Sequence, residues 1–115
     1  DIIGHPTGRI LGRRKPYEVD IDQVIEAAAR SGTALEINAS AARLDLKDTL
    51  AARAHAAGVR IAINTDAHDT GELGDMWLGV AVARRARLAK EAVVNAWALD
   101  DVIAWLGARN RHADR

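Results

Sequence analysis

Twice between residues 20 and 64 a helical stretch ends on glycine and passes at once into a short apolar run, and this alternation restricts the fold more than any other feature. Asp20 precedes Ile21 and Gln23 stands three positions on, the pattern of a capping box with Asp in the Ser/Thr role. Ile21, Val24, Ile25 and Ala28 follow at helical spacing, and Gly32 can take the left-handed stop, so the helix is expected to end near Arg30. Thr33-Ala34-Leu35-Glu36-Ile37-Asn38 is too short for a helix and reads as a buried strand. The pattern then repeats. Asp45 is placed to cap a second helix with Leu46, Leu50, Ala54 and Ala57 along one face, Gly58 stops it, and residues 59–64 form another strand. Strands alternating with helices predict βαβ units, parallel strands with flanking helices and right-handed crossovers, which is the α/β class.

Outside this segment the pattern is less regular. Asp1-Ile2-Ile3-Gly4 opens on an apolar pair with no initiator methionine and reads as the end of a buried strand in an excerpt from a longer protein. Residues 76–87 and 90–98 read as helices, and Asp100-Asp101 can cap a last helix that stops at Gly107, leaving residues 107–115 to fray. A chain of 115 residues with 49% hydrophobic and 28% charged content is an ordinary globular mixture of one domain. Sixteen Lys and Arg balance sixteen Asp and Glu, so no overall positive field holds a polyanion and any phosphate contact must come from a local cluster. The lack of cysteine excludes disulfides, thiolate nucleophiles and Cys-ligated zinc, and cytoplasmic localisation is the expectation. No apolar run approaches the roughly 20 residues of a membrane span, and the first residues show no basic stretch followed by a hydrophobic block, so neither insertion nor export is the expectation.

In parallel α/β folds ligands gather at the carboxyl ends of the strands. The three exits here are Gly4-His5-Pro6-Thr7-Gly8-Arg9, Asn38-Ala39-Ser40 and Asn64-Thr65-Asp66-Ala67-His68-Asp69. Two of the four histidines, His5 and His68, fall on them, while His55 lies within a helix and His112 near the end of the chain. In extended backbone Asp66 and His68 point the same way, so a carboxylate and an imidazole would face one cavity. Such a donor set without thiolate suits Mn²⁺, Zn²⁺ or Fe²⁺, and His5 would complete it. The competing structural reading has Asp66 capping the following loop with His68 packed beneath it.

Arg9, Arg13, Arg14 and Lys15 crowd the loop after His5 without an acid, which suits an anionic substrate. Arg9 is the first choice for phosphate, and Asn38 and Arg43 at the second exit are further candidates. The alternatives are a solvated charged face for residues 13–15 and a surface pairing of Arg43 with Asp45 or Asp48. His55 is expected at the surface, and Trp77, Trp97 and Trp105 as packing anchors. Glu36, on the face opposite Leu35 and Ile37, is read as a partner for a neighbouring arginine rather than as an acid supporting the site.

Gly4-His5-Pro6-Thr7-Gly8-Arg9, Glu36-Ile37-Asn38-Ala39, Arg43-Leu44-Asp45-Leu46 and Ile63-Asn64-Thr65-Asp66-Ala67-His68 together resemble the later half of a PHP (polymerase and histidinol phosphatase) domain. The likeness is in particular to the PHP domain of bacterial family-X DNA polymerases, with the motifs in the family's order over about residues 1–86. The resemblance implies that residues 1–106 are the C-terminal part of a distorted (βα)₇ barrel. That barrel holds up to three divalent metals at its strand ends and hydrolyses phosphate esters. Carried over, His5, Asp66 and His68 would be metal ligands, and the intact parent would trim DNA 3′ ends as a Mn²⁺-dependent 3′–5′ exonuclease. The family's remaining ligands belong to strands that would precede Asp1, so the chain alone is expected to lack the full cluster and its activity, and to leave sheet edges bare. Residues 83–88 resemble the family's Ala-Arg-Arg-Gly-Trp stretch, with Ala86 and Arg87 in place of Gly-Trp. Two further readings are a stand-alone phosphatase of a small phosphomonoester and a non-catalytic module bracing a neighbouring domain.

Overall fold

The computed structural model describes residues 1–113, with side chains through residue 108. Strand β1 (Ile2–Ile3), helix α1 (Ile21–Ser31), strand β2 (Ala34–Asn38), helix α2 (Asp48–Ala56) and strand β3 (Ile61–Asn64) come in that order, followed by α3 (Met76–Arg85) and α4 (Leu99–Ala113). The strands form a parallel sheet in the order β1-β2-β3, with Ile2 opposite Ala34, Leu35 opposite Ile61 and Asn38 opposite Asn64. The expected α/β class is therefore present as a three-stranded parallel sheet with flanking helices.

Local chemistry explains most of the boundaries. Asp20 accepts the backbone N–H of Gln23, and the Gln23 amide returns to the other carboxylate oxygen at 2.9 Å rather than to the cap's own N–H. At the far end Gly32 stands at φ 68° and donates to Ala28 O, the left-handed stop that glycine takes without strain. The alternation within β2 and β3 sends Leu35, Ile37, Ile61 and Ile63 into the core shared with Ile25, Ala51, Ala54 and Ala83. Helix α3 meets this surface at Gly79, where a Cβ would stand 2.5 Å from Ile63 Cγ2 and 2.8 Å from Ala39 Cβ. With small residues facing the sheet, Trp77 falls on the outer side of α3 and is 66% exposed, so it is not the packing anchor expected. Trp97 and Trp105 do pack, edge to face with centroids 6.1 Å apart.

Several other expectations are corrected. Helix α2 begins at Asp48 with Lys47 before it and no side-chain cap, because the carboxylate of Asp45 is drawn into the turn after β1. Leu46 is buried ahead of the helix, and Ala57 is exposed beyond it. Residues 90–98 fold as two 3₁₀ turns, Lys90–Ala92 and Val94–Ala96, rather than as a helix. Gly107 does not stop α4, which continues to Ala113; residues 114 and 115 of the expected frayed segment lie outside the described residues. Ile2 and Ile3 are about 40% exposed at the sheet edge rather than buried. The opposite edge is covered: Val93 bridges to Ile61, and the Asn95 side chain pairs with both N–H and C=O of Ile63 at 2.8 Å, as a neighbouring strand would. Among the described residues no helix is long and apolar enough to cross a membrane.

Candidate metal and phosphate site at the strand ends

Because the strands run parallel, all three exits emerge along one edge of the sheet. Register places Glu36 beside Ala62 and Asn38 beside Asn64, on the face turned away from the helix-covered core. Glu36 is buried, and it is the acceptor for all three strand ends. Its Oε2 takes the backbone N–H of His5 at 2.6 Å and a longer bond from Asn38 Nδ2 at 3.4 Å, while its Oε1 takes Asn64 Nδ2 at 2.8 Å. The arginine partner expected for Glu36 is thus replaced by backbone and carboxamide donors, the carboxamides being those of Asn38 and Asn64 one step along the same face.

His5 and Asp66 both hold positive φ, 30° and 55°, conformations that side-chain-bearing residues adopt at a cost. The Asp66 Oδ2 atom accepts from Asn38 Nδ2 at 3.1 Å and lies 3.8 Å from Arg43 Nε. Arg43 therefore pairs with the acid at the third exit, not with Asp45 or Asp48; Asp48 pairs with Arg85 at 3.1 Å. In the following loop His68 Nδ1 lies 2.6 Å from the backbone oxygen of Asp66, and His68 N–H donates to Glu72 Oε2 at 2.6 Å. The tautomer with a proton on Nδ1 satisfies that carbonyl and leaves the Nε2 lone pair outward, the arrangement by which a backbone carbonyl orients a metal-ligating imidazole. His68 is exposed rather than packed beneath the loop.

The site residues proposed from sequence all sit at strand exits, yet they do not close into one group. Among the described residues no cluster of three or more His, Cys, Asp or Glu side chains is arranged to hold a metal ion. What His5, Asp66 and His68 offer is donor chemistry: the His5 ring and Asp66 Oδ1 make no hydrogen bond among the described residues, and His68 is oriented through its other nitrogen. Imidazole nitrogen and carboxylate oxygen are donor types that divalent cations such as Mn²⁺ and Zn²⁺ accept.

The phosphate candidates divide. Arg9 spends its guanidinium on the carbonyls of Arg43 and Leu44, joining the first and second exit loops. Asn38 is occupied at both ends of its amide, accepting from Ser40 N–H as well as donating to Asp66. Arg43 sends Nη1 to Arg9 O at 3.3 Å and keeps Nη2 without a partner among the described residues. Asp45, fully buried, accepts the N–H groups of Thr7 and Gly8 at 3.0 and 2.9 Å and so fixes the turn that follows His5. Reasoning from sequence weighed Glu36 as an acid supporting the site but favoured an arginine partner for it, and gave Asn64 no role of its own. The available signal was the period-two placement of Glu36 and Asn38 on one strand face, opposite two apolar residues. A separate cavity of about 260 Å³ lies under the loop after His5, lined by Arg9, Tyr17, Val19, Ile21, Lys47 and Leu50 among others; neither His5, Asp66 nor His68 borders it.

No family model matches the chain. Over 106 residues, 92% of its length, it is 52% identical to the DNA polymerase/3′-5′ exonuclease PolX of Bacillus subtilis, and that match covers 19% of the relative. It is 33% identical over 101 residues to a probable phosphatase of Thermoanaerobacter sp. (strain X514), and 35% identical over 102 residues to one of Edwardsiella ictaluri, covering 39% of each. The chain thus spans about a fifth of one relative and two fifths of the others, and it is similar to a part of a polymerase with exonuclease in its name and to a larger part of probable phosphatases.

Proposed function

We propose that the chain is the C-terminal part of a metal-dependent phosphoesterase domain of the PHP type, a segment of a distorted (βα)₇ barrel. In a longer parent of the family-X polymerase kind, it would act in removing nucleotides from DNA 3′ ends. The observation that carries this reading is the 52% identity over 92% of the chain to a protein named as polymerase and 3′–5′ exonuclease. The geometry agrees with it, since the candidate ligands stand at the carboxyl ends of parallel strands, where such folds bind substrates. His5, Asp66 and His68 would hold divalent cations, Mn²⁺ or Zn²⁺ with Fe²⁺ as a third choice, together with ligands from outside residues 1–115. Such ions, when bound, lower the pKa of water and offset charge on the phosphoryl group.

The chain's own residues supply position and charge around that centre. Arg43, anchored by Asp66 and Arg9 O, presents Nη2 to a phosphodiester, while Arg9 and Asn38 hold the exit loops in place. The test is a full-length parent assayed on a 3′-extended, 5′-labelled oligonucleotide with Mn²⁺. His68→Ala and Asp66→Asn are expected to lower shortening at least 100-fold with the melting temperature preserved. Unchanged shortening in both folded variants would reject the reading in favour of a bracing module. A second reading, hydrolysis of a small phosphomonoester, is favoured by the probable phosphatases of which the chain covers 39%. Phosphate release from small phosphomonoesters without oligonucleotide shortening would select it.

A further inference from the structure

We propose that Glu36 is a positioning residue for the metal centre, setting the direction of the His5 imidazole and coupling it to Asp66. The inference rests on the reading of the strand exits as a metal site, and it adds a residue that binds no metal itself. A carboxylate in the middle of a buried strand is an expensive choice where an apolar side chain would pack. Here Glu36 makes no ion pair among the described residues, and its acceptors are met by one donor from each strand end. The short bond from His5 N–H matters most, because His5 holds φ 30°, a backbone state that relaxes unless something fixes it. The acid lies directly beside the backbone before His5, where a Cβ at Gly4 would be in ordinary contact, 3.4 Å from Glu36 Oε2. On the other side Asn38 carries the connection to Asp66 Oδ2, so two candidate ligands from distant parts of the chain are joined through one acid.

Glutamine at position 36 has the same shape but replaces one acceptor oxygen with an NH₂ group. That group faces either His5 N–H, a donor against a donor, or Asn64, whose amide must then turn over to present its oxygen. In the full-length protein, Glu36→Gln is expected to weaken Mn²⁺ binding, followed by electron paramagnetic resonance titration, about 10- to 100-fold, the usual effect of losing a supporting partner. Either arrangement disturbs a buried network, so the melting temperature is expected to fall as well, and the affinity is read well below it, where the variant is folded. Asn64→Ala, which removes one donor at the mouth of the network, should weaken binding several-fold and serves if Glu36→Gln fails to fold.

A metal-free readout separates this inference from the site reading. In histidine-labelled protein the His5 amide proton should resonate far downfield, and Asn64→Ala should shift the His5 ring signals. Mn²⁺ affinity within twofold of wild type in either folded variant overturns the proposal, as does an ordinary His5 amide shift. If His68→Ala binds Mn²⁺ as wild type does, the site reading fails, and the His5 signals still decide whether Glu36 sets its geometry.

Discussion

Asp45 shows how far a single side chain can depart from what its neighbours in sequence suggest. Standing before an apolar run, it has the form of a helix cap as Asp20 does, although Asp48 stands where Gln23 completes the pattern of Asp20. The difference lies 38 residues away, where Thr7 and Gly8 carry buried N–H groups that no strand satisfies. Glu36 was given an arginine partner for a similar reason: its actual partners, His5 after β1 and Asn64 on β3, are far away in sequence. Burial could be read from the pattern, but the identity of the donors could not. Asp45→Ala should therefore destabilise the protein by about 1–3 kcal/mol, chiefly from the orphaned Thr7 N–H, since Gly8 N–H keeps its bond to His5 O at 2.9 Å. Asp45→Asn, which keeps an acceptor oxygen, should cost clearly less. Urea unfolding of both variants checks this, and equal losses would mean that the side chain only fills space.

Elements were legible where their signals are local. The cap at Asp20, the stop at Gly32 and the strands β2 and β3 follow from residues within a few positions, and all are present. Gly107 failed as a stop because a glycine inside a helix costs only about 1 kcal/mol, which the rest of the turn can outweigh. At Gly79 the same propensity is overruled in the other direction. Alanine there would favour the helix by about 1 kcal/mol, yet its Cβ would press into Ile63 and Ala39, and overpacking of this kind costs about 1–3 kcal/mol. Gly79→Ala should consequently lower the urea midpoint; a rise would show that α3 can move away from the sheet. At Ile63 the covered edge of β3 depends on one amide, so Asn95→Ala should cost about 1–3 kcal/mol and speed hydrogen exchange at Ile63 N–H. Unaltered exchange there would contradict the role given to Asn95.

At the scale of the whole molecule, parallel strands bring three exit loops to one edge, and that topology rather than any motif assembles the candidate site. Position at a strand end was readable from the alternation of helices and strands. The cross-links that hold those ends, through Glu36, Asn38 and the Arg9–Arg43 brace, became visible only in three dimensions. Among the described residues His5, Asp66 and His68 do not form a group arranged to hold a metal ion, and the chain spans a fifth to two fifths of the relatives it matches. The direct measurement is anomalous diffraction at the manganese edge from crystals of the full-length protein soaked in Mn²⁺. Peaks about 2–2.5 Å from His68 Nε2, from Asp66 Oδ1 and from a ring nitrogen of His5 are predicted. Peaks bound only elsewhere, with these three side chains free of metal, would contradict the account.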